Sequence, residues 1–140
     1  MEGSRPQRTL ATLVLVGTLY LVVNLASAKL AETAGSGPMQ VFWRRSAFIL
    51  CGLVFLAHIA YEQLRLRNAT RSTAWHAAVA VALGALGLAV LANIHELQSA
   101  SGFRPRMLVA LVAWPLLTAV PAFIVALVLA PRLGLTRSRG

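Results

Sequence analysis

Of the 140 residues, 58% are hydrophobic and only 12% charged. Soluble domains run at about 45–50% and about 25%, so a water-soluble fold of this length has no way to bury these side chains, and the class is integral membrane. The net charge of +9 does not point to nucleic acid, because the arginines and the one lysine stand at the ends of apolar stretches, where they act as topology signals and headgroup contacts.

Residues 1–8 are polar and basic, and Pro6 argues against helix there. The first apolar stretch covers residues 9–28. Arg5 and Arg8 before it and Ala26-Ser27-Ala28 behind it resemble a secretory signal with its cleavage site. The apolar run outlasts the roughly 7–15 residues of such a signal, which favours a retained membrane helix. Asn24, inside this helix, is expected to hydrogen-bond a neighbouring helix. Lys29 to Gln40 reads as a linker, with Gly35, Gly37 and Pro38 as helix breakers.

The second span is residues 42–64, entered through an interfacial belt of Phe42, Trp43, Arg44 and Arg45. Its single cysteine, Cys51, has no partner for a disulfide or a thiolate metal site. A polar turn, RLRNATRSTA, follows, and Ser72 or Thr73 is placed to cap the next helix. Asn68-Ala69-Thr70 matches a glycosylation acceptor, but chance explains it better in a short loop expected to face the cytosol.

The third span, residues 74–96, is unusually rich in small side chains. Ala78, Ala82, Ala85, Ala89 and Ala92 recur at helical spacing, and Ala77, Ala80, Gly84 and Gly87 form a second strip. Lipid supplies no hydrophobic drive for helix association, so small residues mark where backbones approach closely. A helix thin on two sides is expected to have neighbours on both, with Gly84, Gly87, Ala85 and Ala89 at the contacts. Gly102 reads as a stop and Pro105 as the start of the fourth span, residues 106–130. Pro115 and Pro121 predict kinks whose freed carbonyls Thr118 or other helices compensate, and Pro131 predicts the end of the helix.

Four spans joined by short loops predict an all-α, four-transmembrane-helix, up-down-up-down bundle in a single domain. Eight basic residues fall on the side of the termini and five on the other, which predicts cytoplasmic termini, in a plasma (bacterial inner) membrane.

Ionisable groups held inside membrane helices are the natural place to seek function. His58 and Glu62 are four apart and share a helix face, and a short turn brings His76 to the same end, with Tyr61 and Trp75 close by. Burial and a neighbouring carboxylate act in opposite senses on an imidazole, so such a group can exchange protons near neutral pH. The structural alternative pairs Glu62 with Arg65 or Arg67 and gives His58 a backbone carbonyl. A second cluster gathers Asn24, Lys29, Glu32, Asn93, Arg44, Arg45, His95, Glu96, Arg104 and Arg106 at the opposite rim. Arginine matches phosphate in a bidentate way, so this rim is a candidate for an anionic lipid headgroup, a solvated ring of salt bridges being the plainer account.

No cofactor or metal is called for. His95 lies at the wrong face to complete a zinc site with His58, Glu62 and His76, and no nucleophile stands beside an obvious base. The leading expectation is therefore a non-enzymatic packing or accessory subunit, forming a homo-oligomer or joining a larger membrane protein. The alternatives are a proton-coupled small transporter using His58 and Glu62, and a lipid-binding protein or enzyme using the arginine rim.

Overall fold

A computed structural model describes residues 5–98 and 106–135. Four helices, α1 (Arg5–Thr33), α2 (Pro38–Leu64), α3 (Thr70–Gln98) and α4 (Arg106–Leu135), form an up-down-up-down bundle. Each is long and apolar enough to cross a membrane. The expected stop at Gly102 and start at Pro105 lie outside the described residues, as do Arg104, Arg137 and Arg139 and the side chains of Arg5 and Arg106.

The helices overrun the predicted ends. Helix α1 begins at Arg5, ahead of Pro6, because a proline in the first turn lacks only an N–H that has no helical acceptor. The expected linker from Lys29 to Gln40 shrinks to Ala34 through Gly37. Lys29 to Thr33 are compatible with helix, and the chain leaves it only where Gly35 and Gly37 take φ of 71° and 103°. Pro38 then opens α2. Thr73 is not a cap. Helix α3 starts at Thr70, and Thr73 lies within it, fully buried, accepting a 2.7 Å hydrogen bond from Gln63 Nε2.

Pro131 does not end α4, which runs on to Leu135 with Pro115, Pro121 and Pro131 all inside it. Thr118 does not compensate the carbonyls those rings free. Its hydroxyl donates to the carbonyls of Trp114 and Pro115, both at 3.0 Å. The carbonyls that lose a helical partner to Pro115 and Pro121 are four residues upstream, at Leu111 and Leu117.

Helix α3 packs most extensively on α4, then on α1, and α1 and α4 do not meet among the described residues. Chain adjacency does not decide this arrangement, since the turn-joined α2 and α3 touch least of the contacting pairs. Side-chain size does. Ala77, Ala78, Ala80, Gly84, Ala85 and Ala89 of α3 are all buried. A Cβ added at Gly84 would stand 2.7 Å from Tyr20 Cβ and 3.1 Å from the Gly17 carbonyl. One added at Gly17 would stand 2.9 Å from Leu83 Cβ and 3.2 Å from the Ala80 carbonyl. Gly87 receives Leu21 further along, so contact positions on both helices advance together and the two run parallel. Leu13, Val16, Tyr20 and Ala80 make one buried cluster along this seam, and Ile59, Ala74, Ala77, Ala126 and Ala130 make a second at the end holding the α2–α3 turn.

Candidate functional site

The last turns of α2, the turn after it and the first turns of α3 tie a knot of polar side chains beside the second cluster. Four-residue spacing puts His58 and Glu62 on the face of α2 turned into the bundle, where His58 is 4% exposed and Glu62 not at all. Ionised carboxylates are costly in apolar surroundings unless donors surround them. Two residues beyond α2 supply those donors. His76 Nδ1 lies 3.0 Å from both carboxylate oxygens of Glu62, and Asn68 Nδ2 donates to Oε2.

The backbone explains how Asn68 arrives there. The N–H groups of Arg65 and Leu66 donate to the Tyr61 carbonyl, closing the end of α2. Arg67 then takes a left-handed φ of 55°, and the chain returns so that the Asn68 N–H donates to the Glu62 carbonyl at 3.1 Å. Gln63 fastens the turn from the other side, donating to the Asn68 carbonyl at 3.2 Å as well as to Thr73. Glu62 thus pairs with His76, not with Arg65 or Arg67, which are exposed. His58 takes no backbone carbonyl either, for both its ring nitrogens are buried without a hydrogen-bond partner.

Chemically, the pair can share one proton. With Glu62 ionised, His76 donates through Nδ1; with Glu62 protonated, the acid can donate to a bare Nδ1. The contact survives either way, so a proton can shift between oxygen and nitrogen without the helices moving apart. His58 stands one turn away with two unsatisfied nitrogens, able to accept or supply a further proton. Among the described residues no group of His, Cys, Asp and Glu is arranged to hold a metal ion.

The other predicted residues are placed differently. Tyr61 is exposed, and with His58 it lines a groove of about 460 Å³ between α1 and α2. Trp75 packs against Phe123 of α4, ring centroids 5.0 Å apart and planes tilted by 51°. At the opposite rim, Lys29 pairs with Glu32 of its own helix at 3.1 Å, and Arg44, Arg45 and His95 are exposed. Glu96 is half-buried. Asn93 Nδ2 turns back to the Ala89 carbonyl at 2.7 Å. Asn24 leaves that rim for the interior, where its Nδ2 donates to the Tyr20 carbonyl at 2.9 Å and to Cys51 Sγ of α2 at 3.2 Å.

Three contributors escape sequence reasoning: Asn68, Gln63 and Gly17. Asn68 was visible only as a glycosylation match, yet its amide nitrogen is committed to Glu62. No protein-family model, characterised protein or solved structure matches this chain, so the reading of its function stands on the geometry just described.

Proposed function

We propose that this multi-pass membrane protein is a small proton-coupled carrier in which Glu62 and His76 hold the exchanging proton and His58 relays it. The carrying observation is the fully buried Glu62 carboxylate, partnered by an imidazole and an amide and, among the described residues, by no arginine or lysine. A permanent cation would fix the charge of a buried carboxylate, whereas an imidazole lets the pair gain or lose a proton. His58 supports the same reading, since a buried ring with two unmet nitrogens costs stability that a structural residue has no reason to incur. The competing view, a packing or accessory subunit, drew on the small residues of α3. Of those residues, Ala80, Gly84 and Gly87 already meet α1 and Ala77 meets α4 within one chain. The excess of basic residues beside the termini supports placing both ends, and therefore the Glu62 site, near the cytoplasmic face of a plasma membrane.

Infrared titration of the protein in lipid tests this directly. A protonated-carboxyl band should respond to the pH of the bath and be missing in Glu62→Gln. In proteoliposomes carrying a pH-sensitive dye, the wild type should pass protons down an imposed gradient, and Glu62→Gln and His58→Ala should not. A carboxyl band that stays fixed as the pH is varied, or equal flux in all three proteins, refutes the proposal.

A further inference from the structure

In the half of the bundle toward the α1–α2 turn, a cavity of about 690 Å³ lies between α2 and α4, with α1 and α3 as its floor. Ligand pockets run at roughly 300–1,000 Å³. Toward the α2–α3 turn it closes where Phe55 meets the cluster of Ile59 and Ala126. Toward lipid it is flanked by Phe48 of α2 and Trp114 of α4, which are 80% and 53% exposed. A molecule dissolved in the bilayer can therefore pass in sideways.

The lining specifies the occupant. Among the described residues it contains no Lys, Arg, His, Asp or Glu, so a phosphate or carboxylate head would lose its hydration with no countercharge from them. The guest is uncharged. Four aromatic side chains, Tyr20, Phe48, Phe55 and Trp114, surround the space, which favours a flat ring by stacking. The polar atoms are mostly spoken for: Thr118 donates to its own helix, and Cys51 Sγ accepts from Asn24. The exception is Tyr20, only 6% exposed, whose hydroxyl is buried with no hydrogen-bond partner. One turn along the same face of α1, Asn24 Oδ1 accepts no hydrogen bond from the described residues. A carbonyl oxygen is the chemistry that would accept from the tyrosine hydroxyl.

We infer that this cavity binds a quinone-class lipophile: an uncharged, carbonyl-bearing ring on an apolar tail, with one carbonyl on Tyr20 and the tail directed out between α2 and α4. The inference is independent of the proton-exchange reading, since none of His58, Glu62 and His76 lines this space.

Trp114 reports on the site. A Trp43→Phe, Trp75→Phe protein in detergent keeps it as the sole tryptophan, and a decyl-substituted benzoquinone quenches tryptophan on contact. Quenching should saturate. Gly52→Phe should abolish the saturable part, because a Cβ at Gly52 meets nothing within 4 Å and a larger side chain there grows into the cavity. Tyr20→Phe should raise the half-quenching concentration about tenfold, the worth of one hydrogen bond, without lowering the thermal midpoint, since it removes a buried hydroxyl that had no partner. Quenching that rises linearly and equally in all these proteins means the quinone only partitions into the micelle and overturns the site. Unchanged affinity in Tyr20→Phe overturns the assigned head contact.

Discussion

A methyl group added at Gly84 would stand 2.7 Å from Tyr20, whereas one added at Gly52 would meet nothing within 4 Å. Both glycines lie inside membrane helices, yet they do opposite work. Along the α1–α3 seam, Gly17 and Gly84 let two backbones come together, and Ala80 and Gly87 continue the contact on either side. Across the bundle, α2 presents Phe48, Phe55 and Leu56 around Gly52 and stands off from α4. Where lipid is as apolar as the side chains, close packing of small residues is what gains contact energy. The lesson is that α3 is held by two tight seams, against α4 and α1, while α2 is seated mainly along α1 and meets α3 and α4 much less.

The largest effect should follow from overfilling the seam. Gly84→Leu puts a branched side chain where even a Cβ collides with Tyr20 Cβ and the Gly17 carbonyl, neither of which is a flexible tip. Forcing extra carbons into a packed core costs about 1–3 kcal/mol and sometimes more, and here α1 must leave α3. Loss of helicity on SDS titration should come at clearly lower detergent fraction, by the equivalent of at least about 3 kcal/mol. A variant as stable as wild type would show that the seam is not what holds the bundle.

Gly17→Ala sharpens the comparison with a smaller change. Its new methyl would lie 2.9 Å from Leu83 Cβ and 3.2 Å from the Ala80 carbonyl, so α1 must shift by a few tenths of an ångström. The strain, about 1–3 kcal/mol, is partly offset by the better helix propensity of alanine, about 1 kcal/mol. A net loss of up to about 2 kcal/mol in the same titration is expected. Gain of stability would place the tight contact elsewhere.

The four spans are readable from sequence because length and hydropathy are properties of a single helix. The same holds for His58 beside Glu62, which needs only a spacing of four. What binds Glu62 is not. Asn68 reaches it because Arg67 adopts a left-handed φ, and nothing in the apolar periodicity announces that turn. The arginines that follow α2 are the obvious partners by charge, but they face outward, while His76 comes back from the next helix. The helix ends depart from expectation at Pro6, Lys29 and Pro131 because composition marks where a helix can stop, not where it must: a first-turn proline lacks only an N–H without a helical acceptor, and Pro131 sits inside α4 as Pro115 and Pro121 do. Gly17 could have been found, as a lone small residue among Val and Leu awaiting a small partner. The cavity could not, since it exists only through the distance between α2 and α4.

Gly52→Leu completes the comparison and should do the least. Its Cβ meets open space, so no neighbour need move, and leucine is the better helix former by somewhat under about 1 kcal/mol. Burying part of the new side chain against Phe55 and Trp114 adds a little contact. The expected change in the SDS titration lies between zero and a gain of about 1 kcal/mol. The same residue pair then separates two accounts of the bundle. If small residues were needed everywhere for helix approach, Gly52→Leu would resemble Gly84→Leu. If glycine at 52 instead keeps a space open, the variant folds as well as the parent while the space shrinks, and the molecule retains stability at the expense of whatever the cavity admits.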